Sequence, residues 1–178
     1  IRDRPRTELS ANGINGGWYE GREYEYIRRF TPDKSLRNKT LMLEFEGVYH
    51  LAEVYLNGEK IAERPYGYTN FYADLTDRVR FDEENELRVI ARNSDQPNSR
   101  WYSGAGIYRD VTLHVLPKRH IPLDGVYVTT THELESWTMT IDTELCGVKD
   151  NSVLTHVLLD GDVPVCDVTV EAAGDHAN

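Results

Sequence analysis

Apolar and polar residues alternate with a period of two along most of this chain of 178 residues. The stretch LMLEFEGV sends Leu41, Leu43 and Phe45 to one face, and ELRVIARN does the same with Leu87 and Val89. Such alternation is the pattern of β-strands with one buried face. The 3.6-residue period of amphipathic helices is nearly absent. The sequence therefore predicts an all-β fold.

Turn signals separate the strands. Asn57-Gly58 lies between LAEVYL and EKI, and this dipeptide favours a two-residue hairpin because both residues tolerate positive φ. Asp160-Gly161-Asp162 is a second hairpin signal, and Asp74 or Thr76 could cap a single helical turn in DLTDRVRFDEEN. Short strands with Gly, Asn and Pro between them predict a β-sandwich. Its predicted core contains Leu41, Leu43, Phe45, Val54, Leu56, Leu87, Val89, Val111 and Leu113.

A domain boundary is predicted near Pro117, because LPKRHIPLDGV has two prolines and three basic residues after a long run of strands. Residues 1–116 are expected to form the first sandwich, and residues 117–178 an immunoglobulin-like second one. The second set has about four strands, fewer than the roughly seven of a complete immunoglobulin sandwich. The second domain is therefore predicted to be incomplete or minimal.

Composition excludes several classes of partner. The net charge of −10 argues against nucleic acid and anionic membranes, which attract basic surfaces. No apolar run is long enough to span a bilayer. Cys146 and Cys166 are too few for a disulfide framework and are expected to stay reduced, with one bridge between neighbouring strands as the alternative. The chain is expected to be a piece of a longer protein, so both homo-oligomerisation and its compartment, periplasmic, secreted or cytoplasmic, stay open.

Catalytic, metal and cofactor patterns are absent from the sequence. The densest acidic cluster, DEEN at residues 82–85, is predicted to be a solvated turn, and His50 a strand-facing polar residue. Gly104-Ala105-Gly106 precedes a strand and not a helix, unlike a phosphate-binding loop. The remaining histidines show no metal-ligand spacing. These scattered residues are His114, His120, His132 and His156. No catalytic residue, metal or cofactor is predicted for this chain.

The segment NSDQPNSRWYSGAGIYRDV, residues 93–111, is unusually polar for a connection between two strands. Arg100 offers a planar fork of donors, Trp101 and Tyr102 offer flat amphipathic rings, and Asp95 and Asn98 offer further hydrogen-bonding groups. These groups suit a sugar, whose hydroxyls form hydrogen bonds and whose C–H face packs on an aromatic ring. The alternative is a long turn in which Trp101 fills the core and the polar residues cap turns.

Four stretches resemble the amino-terminal half of glycoside hydrolase family 2 enzymes, close to the bacterial β-galactosidases. They are FEGVYHLAEVYLNGEKI, PYGYTNFYADLTD, ENELRVIARNSDQPNSRWYSGAGIYRDV and HIPLDGVYVTTT, and the resemblance covers most of residues 18–131. It implies a galactose-binding-domain-like jelly roll followed by an immunoglobulin-like sandwich. In that family, catalysis belongs to two glutamates in a (β/α)8 barrel, which nothing in this chain resembles.

The resemblance also implies a role for the polar segment. In relatives it reaches into the mouth of the barrel, and a side chain that is often Asp contacts the non-reducing sugar. Counting back from GIYRDV places this position at Arg100. The implied partners are a carbohydrate, with a β-galactoside favoured, and the protein's own carboxy-terminal barrel.

The expected function is therefore that of a non-catalytic amino-terminal part of a β-galactosidase-like enzyme. A parent enzyme of β-glucuronidase or β-mannosidase type is an alternative. From other classes, a free-standing carbohydrate-binding module and a purely structural adhesion module also remain open.

Overall fold

The computed structural model describes residues 23–93, 106–149, 152–172 and 176–177, which divide into two compact units between Val115 and Leu116. Regular structure in these ranges is almost entirely β, which confirms the predicted fold class. A 3-10 turn at Lys34–Leu36 is capped by Asp33, whose Oδ1 accepts a hydrogen bond from the backbone N–H of Ser35 at 2.8 Å. No helix in the described ranges has the length and apolarity needed to cross a membrane.

The described residues of the first unit form nine strands. They are β1 (Glu23–Phe30), β2 (Thr40–Phe45), β3 (Val48–Tyr49), β4 (Ala52–Leu56), β5 (Glu59–Arg64), β6 (Phe71–Asp74), β7 (Asn85–Arg92), β8 (Gly106–Ile107) and β9 (Val111–Leu116), whose last residue falls in the second unit. One sheet has the order β1-β7-β4-β5, a second has the order β6-β2-β9, and β3 pairs with β8. The β1–β7, β4–β7, β4–β5 and β2–β6 pairs are antiparallel.

The two larger sheets share one hydrophobic core, as expected of a sandwich. Strand β2 supplies Leu41, Leu43 and Phe45, and the ring of Phe45 stacks on Phe71 of β6 with centroids 4.9 Å apart. From the other sheet come Val54 and Leu56 of β4 and Val89 of β7, with Leu87 half-buried against the cluster. These seven of the nine predicted core residues are confirmed.

The prediction for Val111 and Leu113 is wrong, because their side chains are 40% and 44% exposed. Alternation along β9 places Val111 and Leu113 on the core side of the sheet. The opposite face of β9 carries His114, which contacts Glu44 on the outer face of β2. However, among the described strands β9 lies at the end of its sheet, where a core-facing side chain has a neighbouring strand on one side only. Correct alternation therefore does not guarantee burial at a sheet edge.

The two turn predictions for the first unit are confirmed. Asn57 and Gly58 have φ values of 52° and 86° and connect β4 to β5, as a hairpin turn of two positive-φ residues requires. After β6, the side chain of Asp74 accepts a hydrogen bond from the N–H of Thr76 at 2.9 Å. Only one helical turn follows, in which the N–H of Val79 donates to the carbonyl of Leu75 at 3.1 Å.

A buried asparagine ties the Asn57 hairpin to the turn that precedes β7. The Oδ1 atom of Asn85 accepts hydrogen bonds from Asn57 Nδ2 at 2.9 Å and from the N–H of Arg80 at 2.8 Å. Its Nδ2 donates to the carbonyls of Arg80 at 2.7 Å and Glu83 at 3.2 Å. Asn57 in turn accepts from the N–H of Glu86 at 3.0 Å. One fully buried amide thus fixes two loops that are distant in sequence.

Ion pairs cover the outer face of the four-stranded sheet. Arg92 of β7 binds Glu23 of β1 at 2.7 Å and Glu53 of β4 at 2.6 Å. Lys60 of β5 lies 3.6 Å from Glu53 and 2.7 Å from Glu63. A row of alternating charges therefore runs across all four strands, and this face is solvated.

The second unit is built from two hairpins. Its strands are β10 (Val126–Glu133), β11 (Ser136–Glu144), β12 (Val153–Asp160), β13 (Val163–Glu171) and β14 (His176–Ala177). Strand β10 pairs with β11, to which β14 adds, and β12 pairs with β13 across the predicted turn at Gly161, where φ is +60°. Leu145 and Ala172 form a small core with three half-buried neighbours. Cys146 is half-buried and Cys166 is exposed, both as free thiols.

Candidate functional site

The five side chains that the sequence assigns to a sugar site lie outside the described residues. They are Asp95, Asn98, Arg100, Trp101 and Tyr102. From here on, the polar segment means residues 93–106, and the structure describes both of its ends, Asn93 and Gly106. The framework of the candidate site can therefore be built from its two anchor points.

The first anchor is the end of β7. The N–H of Arg92 donates to the carbonyl of His50 at 2.8 Å, and the next residue, Asn93, is almost completely buried. The Arg92 side chain is fixed between the carboxylates of Glu23 and Glu53 on the outer face of the sheet. The polar segment therefore begins at a strand end where both the backbone and the side chain of Arg92 are held by neighbouring residues.

The second anchor is β8. Gly106 pairs with Tyr49 of β3, and the N–H of Ile107 donates to the Tyr26 hydroxyl at 3.2 Å. Gly106 has φ +82°, and a Cβ at this position would lie 2.0 Å from the Tyr26 hydroxyl oxygen. Glycine is thus required here both by its backbone conformation and by the close approach of Tyr26.

Both anchors meet at the bend between β3 and β4. His50 lies in this bend and not in a strand, so the prediction of a strand-facing residue is wrong. Its carbonyl accepts a hydrogen bond from the Arg92 N–H, whereas its buried Nε2 has no hydrogen-bond partner among the described residues. Its ring contacts Tyr49 with centroids 4.8 Å apart. The polar segment therefore begins and ends beside Tyr49 and His50, at the bend between β3 and β4.

A polar cluster lies on the outer face of the three-stranded sheet. Glu44 Oε2 contacts His114 Nε2 at 2.7 Å, and Glu44 Oε1 accepts from Asn70 Nδ2 at 3.1 Å and from the Tyr72 hydroxyl at 3.4 Å. The hydrogen bond from Asn70, followed by that from His114, lowers the pKa of Glu44. Likewise, the hydrogen bond from Arg92 lowers the pKa of Glu53. Both carboxylates are therefore held in their charged form by neighbours.

These two shifts predict a loss of stability in acid. A lowered folded-state pKa adds stability that is fully present above the ordinary value of 4.5 and is lost as pH falls through the lowered pKa. We expect Glu53→Gln to reduce the free energy of unfolding at pH 7, and the gap between variant and wild type to narrow below pH 4.5. Urea unfolding across this range measures it. Glu83→Gln, which changes an exposed glutamate in a turn, serves as the control. A difference in the free energy of unfolding between Glu53→Gln and wild type that stays constant across this pH range would contradict the prediction.

The acidic residues 82–84 lie in a solvated turn, as predicted, whereas Asn85 is buried and begins β7. Asp82 pairs with Lys34 at 2.9 Å and with Arg37, and Glu84 lies 3.9 Å from Arg29. These carboxylates are exposed and neutralised by basic side chains. Within the described ranges, no group of three or more His, Cys, Asp or Glu side chains could hold a metal ion.

Comparison with protein families gives a match over most of the first unit. Residues 5–112 match the family model described as glycosyl hydrolase 2 galactose-binding domain-like. The chain is 45% identical over 124 residues to the β-galactosidase BoGH2A of Bacteroides ovatus, covering 70% of this chain and 15% of that protein. It is 32% identical over 136 residues to a putative β-glucuronidase of Formosa agariphila, covering 76% of this chain and 13% of that protein.

Solved structures agree with these sequence matches. A β-glycosidase from Bacteroides vulgatus superposes with a TM-score of 0.78 at 26% identity, covering 95% of this chain and 22% of the other. A family 2 glycosyl hydrolase from Bacteroides cellulosilyticus gives a TM-score of 0.75 at 27% identity, covering 98% of this chain and 24% of the other. The chain therefore spans less than a quarter of the length of these relatives.

Proposed function

The chain belongs to glycoside hydrolase family 2, and we propose that it serves as the amino-terminal, non-catalytic part of a β-galactosidase-like enzyme. The observation that carries this proposal is the match of residues 5–112 to the family's galactose-binding domain-like model. The matched region also covers only 15% of the length of the β-galactosidase BoGH2A, to which it is 45% identical. Catalysis would then belong to a (β/α)8 barrel elsewhere in the full-length protein. That barrel and its carbohydrate substrate are the proposed partners of this chain.

A β-galactoside is the favoured substrate of the full-length enzyme. The support is that the relative named a β-galactosidase shares 45% identity with this chain, against 32% for the relative named a putative β-glucuronidase. A β-glucuronidase parent is the second candidate because relatives with that name match over similar shares of the chain. The substrate of the full-length enzyme decides between them.

We further propose that residues 117–178 belong to an immunoglobulin-like sandwich that acts as a spacer. Support comes from the pairing register of β10 and β11, which places apolar side chains on a single face of this hairpin. That face carries Val126, Val128, Trp137, Met139 and Ile141. Most of these side chains are well exposed, as expected of a sandwich with fewer strands than the usual seven or so.

The polar segment is proposed to complete the sugar site across the domain boundary. Its two anchors, the Arg92–His50 hydrogen bond and the β3–β8 pair, hold both ends at one corner of the sandwich. From this base, Arg100 would donate hydrogen bonds to a hydroxyl of the sugar bound in the barrel. Asp95, Asn98 and Tyr102 would supply further polar contacts, and Trp101 would pack the segment against the sandwich.

Substitution of Arg100 in the full-length enzyme tests this proposal. Charge-assisted hydrogen bonds contribute about 1.5–3 kcal/mol each, so Arg100→Ala should lower kcat/KM by roughly tenfold to a hundredfold. Arg29→Ala is the matched control, because Arg29 pairs with Glu86 on the surface of the first unit. Unchanged kcat/KM for Arg100→Ala, with thermal unfolding equal to wild type, would contradict the proposed role.

A further inference from the structure

Three tyrosines form an aromatic surface beside the two anchors. This tyrosine surface consists of Tyr49 of β3 and of Tyr66 and Tyr68 in the connection between β5 and β6. The Tyr49 and Tyr68 rings lie 5.2 Å apart at an interplanar angle of 60°, and the Tyr66 and Tyr68 rings lie 5.6 Å apart at 65°. Tyr66 is 58% exposed and Tyr68 is 54% exposed. Large rings are thus presented to solvent in a defined arrangement.

The connection that carries Tyr66 and Tyr68 is held in place by hydrogen bonds along its length. The carbonyl of Pro65 accepts from the N–H of Leu51 at 3.2 Å, and the carbonyl of Gly67 accepts from the Tyr108 hydroxyl at 2.7 Å. Arg64 Nη2 donates to Thr69 Oγ1 at 2.7 Å. A surface fixed in this way loses little conformational entropy when a ligand binds.

Gly67 brings the connection against Tyr49. A Cβ on Gly67 would lie 2.5 Å from Cδ2 of the Tyr49 ring, so only glycine allows this approach. Tyr49 in turn pairs with Gly106, the residue that ends the polar segment. The tyrosine surface is therefore continuous with the base from which the predicted sugar-contacting segment extends.

The size and chemistry of the surface fit a saccharide better than a protein. Two aromatic side chains bury about 150–250 Å² each, well below the roughly 800 Å² per partner of a stable protein interface. The segment PYGYTN contains no Leu, Ile, Val or Met that would enlarge this apolar area. Tyrosine instead combines a flat apolar face for sugar C–H groups with a hydroxyl that can bind a sugar hydroxyl.

We propose that Tyr66 and Tyr68 bind two consecutive sugar rings of an oligosaccharide. Because their rings are inclined at 65°, one flat sugar can pack on only one of them, whereas two linked sugars rotated about their glycosidic bond can use both. The carbohydrate class of the ligand rests on the proposed function. The tyrosine surface extends that function, since it recognises sugar units beyond the one assigned to Arg100 and therefore selects for longer substrates.

The test uses this chain and two probes, β-1,4-galactotetraose and galactose, with binding followed by saturation-transfer NMR and calorimetry. Tyr66→Ala and Tyr68→Ala should each weaken tetraose binding by about fivefold to tenfold, because each removes one stacking partner. Tyr66→Phe and Tyr68→Phe keep the ring and should retain most of the affinity. Tyr127→Ala removes a tyrosine that is 66% exposed in the second unit and should have no effect. Galactose should bind more weakly than the tetraose to the wild-type chain.

Several results would overturn the proposal. One is a wild-type chain that binds no tetraose, and another is a pair of alanine variants that match Tyr127→Ala while thermal unfolding shows them folded. A third is a loss of self-association on sedimentation without a change in tetraose affinity, which would assign the surface to a protein contact. None of these results alters the Arg100 assay in the full-length enzyme, so failure here is distinct from failure of the proposed function.

Discussion

Replacing Asn85 with alanine is expected to lower the free energy of unfolding of the first unit by about 3 kcal/mol or more. The buried amide makes four hydrogen bonds, and alanine would leave the N–H and carbonyl of Arg80, the carbonyl of Glu83 and the amide of Asn57 without their partner. An unsatisfied buried polar group costs about 1–3 kcal/mol, so several together exceed an ordinary surface substitution. Urea unfolding followed by tyrosine fluorescence measures this loss.

Two comparisons make the Asn85 prediction specific. Asn70→Ala removes an exposed asparagine that binds Glu44 and Tyr72, and it should cost far less. A double-mutant cycle with Asn57→Ala should give a coupling energy, because the two side chains share a hydrogen bond of 2.9 Å. Equal unfolding midpoints for Asn85→Ala and Asn70→Ala would show that the buried amide does not hold the two turns together.

Gly106→Ala should destabilise the first unit by about 2–5 kcal/mol through two separate effects. An L-residue is strained at φ +82°, and its Cβ would meet the Tyr26 hydroxyl at 2.0 Å. Relief of this clash would displace Tyr26 or β8 and so break the hydrogen bond from the Ile107 N–H to Tyr26. Because Gly106 ends the polar segment, kcat/KM of the full-length enzyme should fall as well. Thermal unfolding and kinetics measure the two consequences.

A second glycine, Gly58, allows the backbone strain at positive φ to be measured separately from the steric clash with Tyr26. Gly58 has a similar φ of +86°, but no atom of the described residues lies within 4 Å of a Cβ built there. Gly58→Ala therefore measures the backbone strain alone, and its cost should be the smaller of the two. Tyr26→Phe removes the clashing oxygen and should restore part of the stability of Gly106→Ala. If the two glycine variants are equally destabilised, close packing against Tyr26 plays no part.

Local chemistry explains which parts of the fold follow from sequence. Alternation along β2 places Leu41, Leu43 and Phe45 in the core, and the Asn57-Gly58 dipeptide specifies its hairpin, because both signals act over a few residues. The exposure of Val111 and Leu113 depends on where β9 falls in the sheet, and strand order is set by contacts distant in sequence. Periodicity identifies which face of a strand is apolar, but not which neighbouring strands cover that face.

The candidate site follows from local sequence patterns even less completely than the fold does. The polar composition of residues 93–111 and the family resemblance indicate a sugar-contacting segment, and the anchors at Arg92 and Gly106 are compatible with one. Sequence reasoning did not single out Tyr66 and Tyr68, although two tyrosines flanking a glycine are visible in PYGYT. Their role depends on Gly67 lying against Tyr49, a contact between the β5–β6 connection and β3 that no local pattern encodes.

The row of charges on the four-stranded sheet has a consequence for assembly. Among the described strands, β5 lies at one end of this sheet, and its residues Glu59, Lys60, Glu63 and Arg64 place charges of both signs along that edge. A second chain that added a strand there would have to strip water from these groups and disturb the pairs of Lys60 with Glu53 and Glu63. Charges along this edge therefore oppose the addition of a strand from a second chain.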